Sequence, residues 1–270
     1  MAKKQQPERL LSLDEGNWGV KGVADGGVQF VFPSIFGVKS DAVTQDTPDW
    51  NDAIFFEGDW LIFGDKIDIF SKPKSAKSHM TMSRYGGDKY RKLFAYSLFR
   101  AFGAWDSMKD KPVYDNPIEV VIALSLPATV YADRKEQDRI KQALLGTYYV
   151  SAINGYTFEF RVVSEIVENS KGEPMDRRFK FYPEGLGTFV QWLTGRNTTA
   201  PGQIVTSGIT AVVDIGMLTL DITLYQGPRL IGTSYTSSDL GGKRIINEIA
   251  KAFSAGINTF DINNTLNCDT

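Results

Sequence analysis

Residues 212–221 read VVDIGMLTLD: an apolar run ending in Asp214, a turn opened by Gly216, then Thr219 and Asp221 leading into a second apolar run. An acid at the end of a strand with glycine two residues on is the signature of a tight hairpin. The same arrangement occurs near the start of the chain, where residues 10–21 read LLSLDEGNWGVK and Gly16 and Lys21 follow Asp14 at offsets of two and seven. An extended hairpin with this spacing brings Asp14 and Lys21 to one turn, with backbone N–H groups between them to cradle a phosphate. Taken alone, either hairpin is equally well explained by turn geometry. Taken together, two acidic turns at duplicated positions can face each other across a cleft, where a metal bound to nucleotide phosphates needs hard oxygen ligands.

The surrounding elements repeat as well. Residues 10–32 alternate apolar runs with glycine pairs and read as three short strands, LLSLD, WGVKGVA and VQFVF. Tyr90, Leu93, Phe94, Ser97, Leu98 and Ala101 fall on one face at helical spacing, with Gly103 where the helix should end. IEVVIALSL over residues 118–126 reads as a buried strand stopped by Pro127, and Asp133 with Glu136 three later resembles a capping box. The helix it opens carries Ile140, Ala143 and Leu144 on its apolar face up to Gly146. Residues 156–167 and 178–182 read as strands, 184–193 as a helix, and GRNTTAPG over 195–202 as a polar linker that marks a domain boundary. Beyond it, residues 211–215, 219–225 and 229–233 read as three more strands and 242–253 as a helix with Ile245, Ile246, Ile249 and Phe253 on one side. Strand, glycine turn, strand, strand, helix therefore occurs twice, and that duplication decides the fold.

Composition narrows the chemistry. Of 270 residues, 42% are hydrophobic and 23% charged, an ordinary globular balance. The net charge of −2 gives no bulk footprint for nucleic acid or an anionic membrane. The longest apolar stretch, residues 120–132, is broken by Ser125 and Pro127 and falls short of the ~20 residues that span a bilayer. Residues 1–10 are polar with no apolar segment behind them, so the expected compartment is the cytoplasm. One cysteine, Cys268, and one histidine, His79, exclude an internal disulfide and a thiolate or imidazole zinc cluster. Histidine-dependent nucleophilic catalysis would have to run through His79, which sits in a polar stretch. The basic cluster KPKSAK at residues 72–77 reads as a solvated loop.

In order along the chain stand FPSIFG (32–37), the strand ending in Leu126 and Pro127, the helix ending LLG (144–146), YPEGLG (182–187), VVDIGMLTLD, and DLGGKRIINEIA (239–250). This series resembles the superfamily of sugar kinases, heat-shock chaperones and actin. Within it, the series is most similar to the plasmid-segregating actin-like (ParM-type) proteins and their archaeal relatives. The resemblance covers about residues 11–253. It implies that Asp14 and Asp214 hold Mg²⁺ through its water shell and that Lys21 contacts the β- and γ-phosphates, where a point charge offsets developing anionic charge. Asn17 and Thr219, with the Gly16 and Gly216 backbones, occupy turn positions that offer hydrogen bonds to phosphate oxygens. Glu184 matches the residue at the start of a helix that positions the attacking water, a catalytic role; the bland alternative is a charge complementing the helix N-terminus. Gly241 and Gly242 resemble the turn before the helix lining the nucleoside pocket, with Lys243 near the base or ribose, or merely solvated. Met217 and Trp18 are bulkier than the family's phosphate turns usually carry. Nothing after Phe253 resembles the family's third glycine-rich turn.

The expected architecture is an α/β, two-domain actin-like ATPase fold, with ribonuclease-H-like duplicated mixed sheets flanked by helices and Mg-nucleotide in the cleft between domains. Residues 1–195 form the first domain and 203–270 the N-terminal part of the second, whose C-terminal part is expected to be missing. The implied function is an ATPase, with GTP left open as the nucleotide, that self-associates into filaments to segregate plasmid DNA or organise the cell. A DNA-binding adaptor is a possible partner; direct contact with nucleic acid or membrane is not expected. Alternatives on the same fold are a small-molecule kinase, a chaperone-like ATPase and an inactive fragment.

Overall fold

The computed structural model describes residues 7–16, 19–39, 52–63, 74–75, 85–193, 208–216, 219–227, 229–238, 242, 247–249 and 251. It opens with β1 (Arg9–Glu15), β2 (Gly19–Ala24) and β3 (Gln29–Pro33), an antiparallel meander. Next come β4 (Ile35–Lys39), β5 (Ile54–Phe56), β6 (Asp59–Phe63), β7 (Lys74–Ser75) and α1 (Asp88–Phe102). A small ribbon of β8 (Trp105–Asp106) and β9 (Lys111–Pro112) precedes β10 (Ile118–Leu126), α2 (Ala128–Ala132), α3 (Arg134–Leu144), β11 (Gly146–Ala152) and β12 (Thr157–Val162). The hairpin β13 (Ile166–Glu168) and β14 (Pro174–Asp176) leads to β15 (Phe179–Pro183) and α4 (Leu186–Leu193). A second meander, β16 (Ile209–Ile215), β17 (Leu220–Gln226) and β18 (Arg229–Ser238), follows. Contacts divide the chain into two compact units, Met1–Glu184 and Gly185–Thr270.

In the first unit the central sheet runs β3-β2-β1-β10-β15, with the first three strands antiparallel and β1, β10 and β15 parallel. That mixed order is the ribonuclease-H-like arrangement the duplication implies. The sheet also continues from β10 through β12, β11, β5, β6 and β4 to β7. Strand β10 alternates without fault: Ile118, Val120, Ile122, Leu124 and Leu126 are buried while the residues between are half-exposed, so one face of the sheet carries the core. Helix α1 packs on that face, burying every position expected of it from Tyr90 to Ala101. Aromatic rings lock it there: Tyr96 stacks on Phe63 at 3.7 Å and meets Phe32 edge-on at 4.8 Å, and Phe94 meets Tyr148 at 5.4 Å. Asp133 caps α3 through the Lys135 and Glu136 N–H groups; Glu136 turns to Arg139 rather than closing a reciprocal box.

In the second unit α4 covers one face of the β16-β17-β18 meander, with Phe189 stacked on Tyr225 at 3.9 Å and Val212, Leu186 and Leu230 packed around them. Helix α4, grouped with the first domain by the sequence, thus packs with the strands that follow it. The linker at 195–202 lies outside the described residues, as do His79 and Cys268. The expected helix over 242–253 is helical at Gly242, Asn247–Ile249 and Lys251, the positions described. Of the KPKSAK cluster, Lys74–Ser75 form β7 rather than loop. No helix among the described residues is long and apolar enough to cross a membrane.

Candidate functional site

The hairpin β1–β2 closes on the pair Glu15 and Val20, which puts Asp14 directly opposite Lys21 and Leu13 opposite Gly22. The second hairpin has the same register: Ile215 faces Leu220, Asp214 faces Asp221 and Val213 faces Ile222. In each hairpin an aspartate stands one rung back from the closing pair, and a glycine, Gly16 or Gly216, follows that pair directly. The glycines that open the turns are in tight quarters. A Cβ on Gly16 would stand 3.0 Å from the Gly19 carbonyl, and one on Gly216 would stand 3.3 Å from the Thr219 carbonyl and 3.4 Å from its hydroxyl.

Both turns are anchored through the carbonyl of that glycine. Ser34, between β3 and β4, donates its hydroxyl to the Gly16 carbonyl at 2.5 Å. In the second unit the Gly242 N–H donates to the Gly216 carbonyl at 2.9 Å. The expected nucleoside-side glycine thus meets the expected phosphate turn within one unit. Nothing local in the FPSIFG segment marks Ser34 for a partner eighteen residues away, because the contact is made only when the strands pair. Asn17, Trp18, Met217, Gly241 and Lys243 lie outside the described residues.

Lys21 and Asp14 approach to 3.5 Å, with side chains 68% and 35% exposed. An ion pair so exposed contributes only ~0–1 kcal/mol. Lys21 is therefore held near the turn yet can swing to an incoming anion at little cost. Beyond Asp14 the row continues across the parallel strands: Asp14 pairs with Ser125 of β10, and Ser125 with Tyr182 of β15. This row lies on the face opposite α1, at the carboxyl ends of three parallel strands, where open α/β sheets bind their ligands. Glu184 follows β15 by one residue, and its N–H donates to the Leu126 carbonyl at 2.8 Å. The sequence placed Glu184 in the first turn of a helix. Instead Gly185 adopts φ 84°, and its carbonyl receives the Phe189 N–H at 3.0 Å, so the helix begins after it. Glu184 is consequently a strand-end residue on the same edge as Asp14.

These donors suit a hydrated magnesium ion. No three His, Cys, Asp or Glu side chains converge among the described residues. Mg²⁺ in nucleotide sites keeps several waters and is held by one or two carboxylates plus phosphate oxygens, which single aspartates on hairpin turns can supply.

The fold and the duplicated acidic turns define an actin-like protein, and comparison with known families agrees. Residues 12–168, more than half of the chain, match the model of the actin-like proteins' N-terminal domain. The chain belongs to that family. No curated protein sequence matches it. Among solved structures, apo psk41 ParM is similar over 92% of this chain and 71% of its own, at 20% identity and a TM-score of 0.64. The archaeal actin homologue Ta0583 matches over 92% and 67%, at 16% identity and a TM-score of 0.65, and is also known as a complex with ADP. A 15-stranded ParM filament from Clostridium botulinum matches over 94% and 70%, at 15% identity and a TM-score of 0.64. These likenesses establish the actin-like fold.

Proposed function

We propose that this chain binds a magnesium-complexed nucleoside triphosphate, ATP or GTP, hydrolyses it, and assembles into filaments that segregate plasmid DNA or organise the cell. The observation that carries the reading is the identical register of the two hairpins, each with an aspartate one rung back from the closing pair and a glycine directly after that pair. Two unrelated turns have no reason to share closing pair, turn length and acid position. The ADP complex of the archaeal homologue and the filament of the Clostridium botulinum ParM support nucleotide binding and self-association.

Mg²⁺, when bound, neutralises phosphate charge from the positions Asp14 and Asp214 would hold through water. Lys21 leaves its weak pairing with Asp14 to contact β- and γ-phosphate oxygens. Backbone N–H groups of the turns opened by Gly16 and Gly216, with the Asn17 side chain and the Thr219 hydroxyl, donate to the phosphates. Glu184 orients the attacking water and accepts its proton as the oxygen bonds to the γ-phosphorus; the bond to the β-phosphate oxygen breaks and the diphosphate leaves with its electron pair. Gly241, Gly242 and Lys243 border the nucleoside. A DNA-binding adaptor would link the filament to its cargo, since the net charge of −2 offers no bulk attraction to DNA.

Titration of ATP and GTP with and without Mg²⁺, followed by pelleting and electron microscopy, tests the proposal. The expected results are magnesium-dependent binding and nucleotide-dependent ordered filaments. Equal affinity in chelator and in magnesium would contradict the site. A chain that stays monomeric with nucleotide while phosphorylating a small metabolite would replace the filament reading with a kinase.

A further inference from the structure

The strand between the two acids carries a hydroxyl that the proposed chemistry has not used. Ser125 is the last outward-facing residue of β10, with its Cα paired to Asp14 on one side and to Tyr182 on the other. Neighbouring strands lie about 4.8 Å apart, so Ser125 sits midway across the roughly 10 Å that separate the Asp14 and Tyr182 backbones. Glu184, two residues past Tyr182, is held at the same edge by its N–H bond to the Leu126 carbonyl.

The surroundings of Ser125 set it apart from the other outward positions of its strand. Glu119 is bound by Arg178, while Val121 and Ala123 have nothing to pair. Ser125 is half-buried, and its hydroxyl makes no hydrogen bond to any described residue. By contrast the hydroxyls of Ser34, Ser97, Ser151 and Ser164 all have protein partners. A hydroxyl both donates and accepts, which a strand-end alanine or valine cannot do, and a water in this row would meet acceptors on both sides.

We infer that Ser125 is a positioning residue for the attacking water: its oxygen accepts one water O–H while the Glu184 carboxylate accepts the other, and its own O–H donates toward Asp14. With both water hydrogens engaged, the free lone pair is left for phosphorus. The inference rests on the nucleotide-hydrolase reading and adds to it the residue that fixes the water's second hydrogen.

The experiment compares Ser125→Ala, Ser125→Thr and Glu184→Gln with the unmodified full chain, measuring equilibrium nucleotide affinity, single-turnover hydrolysis and thermal unfolding. Loss of one hydrogen bond in a positioned water should slow hydrolysis by Ser125→Ala about tenfold, with affinity within about twofold. Ser125→Thr keeps the hydroxyl, suits a strand, and should restore most of the rate. Equal slowing by Ala and Thr, or a fall in unfolding temperature that tracks the rate, overturns the positioning role. Slow Glu184→Gln beside an unaltered Ser125→Ala overturns the inference alone. An unmodified chain that does not hydrolyse nucleotide overturns the reading and the inference together.

Discussion

Asp214 and Asp221 stand directly opposite each other on β16 and β17, at the rung where the first hairpin sets Lys21 opposite Asp14. Asp221 is 2% exposed. Opposite charges facing across a sheet contribute up to ~1 kcal/mol, and less when they are exposed. Asp14→Asn should therefore lower stability in chelator by no more than about 1 kcal/mol, through loss of the Lys21 pairing. Urea unfolding in chelator measures it. A larger loss would mean that the Asp14 carboxylate is needed for folding and not reserved for a ligand.

Replacing the two kinds of acid should separate holding the nucleotide from hydrolysing it. Asp14→Ala and Asp214→Ala are expected to weaken magnesium-dependent nucleotide binding itself. Glu184→Ala should leave affinity within several-fold and lower turnover by ~10²–10⁴, with filaments that assemble but persist. Binding isotherms beside phosphate-release rates decide the matter. Unchanged hydrolysis in Glu184→Ala would reduce that residue to a backbone link between β15 and β10.

Acid sensitivity should arise away from the nucleotide. Burial acts to raise the Asp176 pKa, but Lys141, the Ser164 hydroxyl and the N–H groups of Glu165 and Arg178 outweigh it and hold the carboxyl at about 2. A group depressed in the folded state contributes stability that is complete above its unfolded value near 4 and lost as pH falls toward 2. The contribution is about 2 kcal/mol at neutral pH. Asp176→Asn should therefore be less stable than the parent at pH 7 and approach it near pH 2–3. A constant gap across that range would assign the loss to packing.

Gly22 tests how tightly the first hairpin is seated. A Cβ there would come 2.1 Å from the Phe30 ring, which is itself buried against Phe32. Gly22→Ala should cost about 1–3 kcal/mol through forced repacking. A Phe30→Leu partner change should recover part of it, measured as a double-mutant cycle by thermal or urea unfolding.

What could be read from the chain alone was local and periodic. The two glycine-opened turns after Asp14 and Asp214, the face of α1 and the buried alternation of β10 follow from spacing, because a turn needs its glycine within a few residues and an apolar stripe repeats at a fixed period. Strand β11 was missed. Gly146 reads as a helix stop, yet with Leu145 leaving the helix the chain turns straight into a strand, burying Tyr148 and Val150 while Tyr149 stays exposed. The extension through β4, β5, β6 and β7 was missed as well, since strands of two to five residues carry too few alternations to register.

Register belongs to the tertiary structure. Asp14, Ser125 and Tyr182 are far apart in sequence and become one row only because parallel pairing aligns β1, β10 and β15, and no local pattern specifies which rungs will meet. The same holds for Glu184. Its residue type and the glycine after it were legible, but its place at a strand end was decided by the N–H bond to Leu126 and by the left-handed turn at Gly185, which delays the helix. The sequence determined which residues could serve phosphate chemistry; long-range hydrogen bonding decided which of them share an edge.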